Sequence, residues 1–306
     1  MSYLIVLIGF IMLIKGADMF VEGASSVAKR FHIPEMIIGL TIVAMGTSLP
    51  ELSVSFISAL NGQSDMSIAN AIGSNIFNVL MILGVSAFIK TLNIKESSIG
   101  DIFILIGATL LLLILSYFGL SLIWFDGLIM LCLFGYFIRK MIKESKENNS
   151  DSDECSEPLS MIKTIIYIVL GAVGIIYGGT LVVNGATSIA KIFGMSDNLI
   201  GLTVVALGTS LPEFVTSVIA TKKGKLDIAI GNVIGSNIFN ILFVLGISSL
   251  FNVLTVSVVT LIDIFFSLFI SIALLCVVCK FKRIGKLSSI TFIVLYISYM
   301  IFTIIR

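Results

Sequence analysis

Apolar residues run along this chain in long blocks separated by short polar links. A helix needs about 20 mostly apolar residues to span the hydrocarbon core of a bilayer. On that measure the pattern predicts ten spans, at 3–28, 35–60, 67–89, 98–117, 121–142, 161–190, 197–220, 227–251, 256–279 and 284–304. The first and sixth are long enough to project beyond the membrane. One polar run, ESKENNSDSDECSEPLS from Glu144 to Ser160, separates five spans from five. It is acidic, Ser/Asn-rich and proline-bearing, and reads as a flexible linker. Its acids lack the glycine turn and regular oxygen spacing of an EF-hand. The expected organisation is a five-helix unit at 1–143, a linker at 144–160 and a second five-helix unit at 161–306.

Composition sharpens the class. Of 306 residues, 58% are hydrophobic and 12% charged, where soluble domains carry about 45–50% and about 25%. The mean hydropathy is +1.13. Too few polar residues exist to cover a soluble surface, which excludes a soluble enzyme or a disordered scaffold. The net charge of +1 leaves no footprint for nucleic acid. The expected fold is an all-α polytopic membrane protein, with the lipid bilayer as its surroundings. No cleavable signal is evident, because the apolar stretch begins at Tyr3 with no basic residue before it. Cys276 and Cys279 lie in an apolar run with no second pair and no nearby histidine, and read as ordinary buried residues. The single His32 sits in a short polar link and reads as a solvated loop residue.

Basic residues orient the spans. With the N-terminus outside, 16 of the 19 Lys and Arg fall on the cytoplasmic side and two, Lys191 and Arg306, on the outer side. This bias predicts both termini outside and the linker inside the cell. Lys15 falls within the first span, one turn from Asp18, and the two are expected to pair with each other.

The two halves repeat. Residues 38–58, IGLTIVAMGTSLPELSVSFIS, match 200–220, IGLTVVALGTSLPEFVTSVIA, at 14 of 21 positions. Residues 67–86, SIANAIGSNIFNVLMILGVS, match 229–248, AIGNVIGSNIFNILFVLGIS, at 13 of 20. The offset is 162 in both cases, and it also aligns the first and sixth spans. Five spans per copy is an odd number, so the copies enter the membrane in opposite directions, as inverted repeats do in many secondary transporters.

Ionisable groups inside a membrane are costly and mark function. Glu51 and Glu213 occupy matching places in the second and seventh spans, and Asn78 and Asn240 in the third and eighth. Thr47 and Ser48 accompany Glu51, and Thr209 and Ser210 accompany Glu213. Ser74 precedes Asn78 by one helical turn, and Ser236 precedes Asn240 likewise. Pro50 and Pro212, with Gly46 and Gly208 nearby, are expected to break the helices and free main-chain carbonyls, those of Ala44, Thr47, Ala206 and Thr209. Carboxylate, hydroxyl, amide and carbonyl oxygens without Cys or His suit Ca²⁺ and Na⁺.

GTSLPE followed by GSNIFN in both halves resembles the two repeats of the sodium/calcium exchanger family, within the calcium/cation antiporter superfamily, and of its prokaryotic type. The likeness extends over nearly the whole chain. It implies exchange of external Na⁺ for internal Ca²⁺ across the plasma membrane by alternating access, with three Na⁺ moving against one Ca²⁺ through four clustered ion sites. Glu51 and Glu213 would be the shared calcium-binding carboxylates. Thr47, Ser48, Thr209, Ser210, Ser74 and Ser236 would line the sites, and Ala44 and Ala206 would supply carbonyls. The first and sixth spans would slide as gates. Ca²⁺ and Na⁺ would be substrates, with no cofactor and no enzymatic activity. Asn240 departs from members carrying Asp there, which argues against K⁺ co-transport. A proton-coupled calcium antiporter remains an alternative. A cation channel is disfavoured by the inverted repeat, and an intramembrane protease by the absence of a Ser–His or H-E-x-x-H constellation.

Overall fold

The computed structural model describes residues 2–147, 158–194 and 206–305. The helices are α1 Ser2–Phe31, α2 Glu35–Thr47, α3 Leu49–Leu60, α4 Ser64–Ile89, α5 Glu96–Gly119, α6 Trp124–Glu147, α7 Met161–Ile192, α8 Ala206–Thr209, α9 Leu211–Lys222, α10 Leu226–Phe251, α11 Val258–Phe281 and α12 Lys286–Ile305. Seven of these are long and apolar enough to cross a bilayer, and α2 with α3, meeting at 50°, makes up to eight. The expected count was ten. The shortfall has two sources. Helix α6 has 24 residues but carries Asp126, Arg139 and Lys140 along its apolar stretch. The expected span 197–220 lies within the described residues only from Ala206 onward. Most of the expected linker, with Cys155, also lies outside them.

The outer surface is largely apolar, and the interior holds a cluster of polar groups within its hydrophobic core. Large apolar side chains such as Leu4, Phe118, Ile162, Tyr177 and Leu287 point outward, while Thr47, Glu51, Asn75, Asn78, Glu213, Asn237 and Asn240 are buried. Lipid solvates the outer surface without cost, and the polar groups find partners only in the interior. Cys276 and Cys279, expected to be buried, are free thiols on the exposed face of α11. His32 follows the end of α1 with φ of 55°, at an exposed turn.

Helices α1 and α7 pack antiparallel at backbone distance. Glycines recur every seventh residue on each: Gly9, Gly16 and Gly23 against Gly171, Gly178 and Gly185. A Cβ on Gly16 would stand 2.7 Å from Ile175 N and 2.8 Å from Gly171 O, and one on Gly178 would stand 2.6 Å from Leu13 N. Small residues at such spacing let helices associate through close contact where lipid gives no hydrophobic drive. Ser26 and Thr164 hydrogen-bond at 2.8 Å across the end of this pair, and Arg30 donates to Leu159 O at 2.6 Å.

Inside lie α4 and α10. Every residue from Ile228 to Phe239 on α10 is buried. Helix α2 crosses α10 at similarly close range, with Gly39 against Ile228 and Gly235 against Leu40. Two small antiparallel ties join the halves: β1 Leu92–Asn93 pairs with β4 Arg283–Ile284, and β2 Ser121–Leu122 pairs with β3 Leu254–Thr255.

Asp18 does not pair with Lys15. Lys223, from the turn between α9 and α10, lies 2.9 Å from Asp18 and 2.7 Å from Glu22. A side chain from a neighbouring turn reaches the carboxylates, while Lys15, one turn away on α1, is exposed.

The glycine contacts yield a stability prediction. Gly16→Ala and Gly178→Ala should each lower stability by about 1–3 kcal/mol through overpacking against backbone. Gly107→Ala and Gly135→Ala, at exposed helix positions with nothing within 4 Å of the added carbon, should leave it unchanged or slightly raised. Thermal melting of the purified proteins in one detergent checks the contrast.

Candidate cation-binding site

The two GTSLPE segments fold alike. Ser48, with φ −86° and ψ 12°, interrupts the helix between Thr47 and Leu49, and Ser210, with φ −88° and ψ 3°, does the same between Thr209 and Leu211. Pro50 and Pro212 then sit in the first turns of α3 and α9, where a missing N–H costs nothing because those donors have no helical acceptor. The break puts Glu51 and Glu213 in the same first turns. There the positive end of the helix dipole favours a negative charge. A continuous helix would have placed both carboxylates in mid-helix, without that support.

Each carboxylate is held from the opposite half. Ser48 donates to Glu213 Oε1 at 2.7 Å. Ser210 Oγ lies 3.2 Å from Glu51 Oε1 and 2.9 Å from Ser74 Oγ. A hydroxyl has one proton, so Ser210 donates to one neighbour and accepts from the other. Thr47 Oγ1 lies 3.1 Å from Asn232 Oδ1, and Thr209 Oγ1 lies 3.4 Å from Asn70 Oδ1. Asn78 donates to Asn237 Oδ1 at 2.9 Å, and Asn240 to Asn75 Oδ1 at 3.2 Å. Asn78 and Asn240 each open a π-helical stretch, at Asn78–Ile82 and Asn240–Leu245, a local widening that recurs at functional sites.

Of the sequence-predicted site residues, Glu51, Glu213, Thr47, Ser48, Thr209, Ser210, Ser74, Ser236, Asn78, Asn240 and Ala44 are all buried. Hydrogen bonds link both glutamates to serines of the opposite half and both asparagines to amides of the opposite half. The Ala44 carbonyl is engaged rather than freed: Ser48 N reaches it at 3.0 Å, Thr47 Oγ1 at 3.3 Å and Ser236 Oγ at 3.4 Å. Pro50 removes a donor from Gly46, four residues back, and not from Ala44. Ala206 opens α8.

Four buried side-chain oxygens at this centre have no hydrogen-bond partner among the described residues: Glu51 Oε2, Glu213 Oε2, Asn78 Oδ1 and Asn240 Oδ1. All four can only accept when the acids are ionised. Buried acceptors without donors are costly unless something positive meets them. No Lys or Arg forms an ion pair with either glutamate among the described residues, and no three His, Cys, Asp or Glu cluster there. The centre therefore offers two carboxylates, two amide oxygens and surrounding hydroxyls, a donor set for hard cations.

Four further asparagines escaped the sequence reading. Asn70 Nδ2 donates to Ser55 Oγ at 2.9 Å and approaches Glu51 O at 3.4 Å; Asn232 repeats this with Ser217 Oγ at 2.9 Å and Glu213 O at 3.4 Å. Asn75 and Asn237 join the halves through each other's backbone carbonyls. Their signal was present, since all four lie at the 162-residue offset inside the repeated segment. Asp101, buried on α5, lies apart from this centre, 3.4 Å from Lys140.

Fold and site together define a helical membrane protein built around a buried oxygen-rich centre, and comparison with known proteins gives the family. The profile of the family described as "Sodium/calcium exchanger protein" matches residues 1–142 and 163–305. The chain belongs to this family, and its relatives include proteins named as exchangers and antiporters. It is 43% identical over 252 residues to a candidate antiporter, CaxA, of Alkalimonas amylolytica, covering 80% of this chain and 79% of that one. It is 32% identical over 290 residues to the sodium/calcium exchanger MaX1 of Methanosarcina acetivorans, covering 82% and 83%. Among solved structures it resembles the sodium-calcium exchanger NCX_Mj soaked with Na⁺ and Ca²⁺, with a TM-score of 0.87 and 33% identity over 97% of this chain and 96% of that one.

Because no cationic side chain among the described residues pairs with the two carboxylates, Glu51→Gln and Glu213→Gln should fold and, free of cations, melt at the parent temperature or above it. Melting curves in chelator-treated buffer check this; a drop of several degrees would show that the charges hold the fold together.

Proposed function

We propose that the protein is a secondary active antiporter that exchanges Na⁺ for Ca²⁺ across the plasma membrane by alternating access. The observation that carries this reading is the set of four buried, donor-free oxygens of Glu51, Glu213, Asn78 and Asn240 at the meeting of the two halves. A Ca²⁺ ion entering there exchanges its water for these oxygens and neutralises two carboxylates at once. Ser48, Ser74, Ser210, Ser236, Thr47 and Thr209 hold the neighbouring positions. Their hydroxyls, now donating, would turn lone pairs toward a bound ion. The Ala44 carbonyl joins once the long contacts from Thr47 and Ser236 release it, and Ala206 is its counterpart in the other half.

The ten-span inverted repeat belongs to the same proposal. The 162-residue offset, the 24-residue length of α6 and the family match on both sides of the linker support it. Alternation follows from the symmetry: α1 and α7, packed as one unit on glycine, slide against the remaining helices and expose the centre to either side. The charge bias along the chain puts both termini outside and the 144–160 linker in the cytoplasm.

Two ionised glutamates carry about −2, so one Ca²⁺ leaves the site neutral and three Na⁺ leave it at about +1. Exchange is then electrogenic, and one net charge is worth about 2.3 kcal/mol per 100 mV. That shifts the equilibrium calcium ratio by roughly 50-fold.

In proteoliposomes, an outward Na⁺ gradient should drive ⁴⁵Ca²⁺ uptake at clamped pH, and K⁺ should be dispensable. Glu51→Gln and Glu213→Gln should each abolish it. With Na⁺ equal on both sides, a valinomycin potential should move Ca²⁺ toward the positive side. Movement toward the negative side would mark a channel, no response would mark electroneutral exchange, and uptake driven by pH but not Na⁺ would mark proton coupling. For orientation, Cys155 in a variant lacking Cys132, Cys276 and Cys279 should react with an impermeant maleimide in inverted vesicles and not in intact cells.

A further inference from the structure

The amide of asparagine is nearly symmetrical in shape but not in charge. A buried Asn78 or Asn240 helps a cation only if its oxygen faces the ion, because the NH₂ end would repel it. Something must set that direction, and the ion cannot do so before it arrives.

We propose that Asn75 and Asn237 are positioning residues that fix the amide oxygens of Asn78 and Asn240 toward the cation, each acting across the boundary between the halves. The inference rests on the cation-binding reading above. The relay starts at a group with only one polarity. The backbone carbonyl of Asn75 can accept and never donate, so Asn237 must turn its NH₂ toward it, at 3.1 Å. The Oδ1 of Asn237 then faces the other way and accepts from Asn78 Nδ2 at 2.9 Å. Asn78 Oδ1 is left pointing away from that contact, buried and without a donor. The mirror relay runs from the Asn237 carbonyl to Asn75 Nδ2 at 3.1 Å, and from Asn75 Oδ1 to Asn240 Nδ2 at 3.2 Å. It leaves Asn240 Oδ1 equally without a donor.

Flipping Asn75 or Asn237 sets like poles against each other at two contacts, and flipping Asn78 or Asn240 does so at one, with water excluded from all four side chains. The direction of the ligand oxygens is therefore written into the backbone before an ion binds. Asn75 and Asn78 lie on one helix, three residues apart, yet the partner of Asn75 is Asn240 in the other half. Pairing by sequence neighbourhood would assign the contacts wrongly.

A double-mutant cycle on ⁴⁵Ca²⁺ binding to the purified full-length protein tests the relay. Asn78→Ala and Asn237→Ala should each weaken binding about tenfold, the scale of one buried hydrogen-bonded group. The double variant should bind no worse than Asn78→Ala alone, because Asn237 acts through Asn78. Asn237→Ala combined with Asn240→Ala should instead multiply, near a hundredfold. A merely structural role for Asn237 would make both combinations multiply alike, and that result overturns the relay. Should Asn237→Ala not fold, Asn237→Leu keeps the branching and volume while deleting both poles, with the same expectations. Unchanged binding in Asn78→Ala would overturn the ligand reading and the relay with it. A loss in Asn78→Ala with none in Asn237→Ala would overturn the relay alone.

Discussion

Two carboxylates buried in a membrane protein, with no cationic side chain to meet them among the described residues, are the constraint around which this structure is arranged. Glu51 and Glu213 are inaccessible to solvent, and an isolated carboxylate in a low-dielectric interior is expensive. The fold reduces that cost in three ways. It breaks both helices so that each glutamate sits in a first turn, at the favourable end of a helix dipole. It brings a serine hydroxyl to each from the opposite half. It leaves one oxygen of each carboxylate without a hydrogen-bond partner among the described residues, which is where the proposed cation would supply the balance. A resident lysine would have stabilised the site permanently and closed it to a transported cation.

The centre is made reciprocally. Ser48 serves Glu213 while Ser210 serves Glu51; Thr47 reaches Asn232 while Thr209 reaches Asn70; Asn75 and Asn237 exchange bonds through each other's carbonyls. Neither half can build the site alone. The outer pair, α1 and α7, is joined by a different kind of contact, glycine backbone against glycine backbone, which holds the two helices to each other with few directional bonds to the interior. Polar bonds are thus concentrated at the centre and close backbone packing at the edge.

The halves are not equal everywhere. Lys223 holds Asp18 and Glu22 on α1, whereas the positions 162 residues away are Asn61, Thr180 and Asn184. One end of the α1–α7 pair is thus tied by charge, and its counterpart positions are neutral. Acidic residues within the first helix look alike by sequence, and only the neighbouring turn distinguishes a partner for Asp18 from the nearer Lys15.

Hydrophobic block length determined that this is a helical membrane protein, because the bilayer imposes a minimum run that few other structures need. Duplication determined that two glutamates, two asparagines and their hydroxyl neighbours belong to one centre, since matched polar residues in apolar segments are too costly to be incidental. Those were legible because each depends on local composition or on self-comparison. Tertiary structure alone decided which hydroxyl serves which carboxylate, that Ala44's carbonyl is engaged, that Cys276 and Cys279 face outward, and which groups Asn70, Asn75, Asn232 and Asn237 hydrogen-bond. Each of these depends on a partner from a distant segment: hydrogen-bond direction and helix rotation are settled by what stands opposite, and that is absent from any linear pattern.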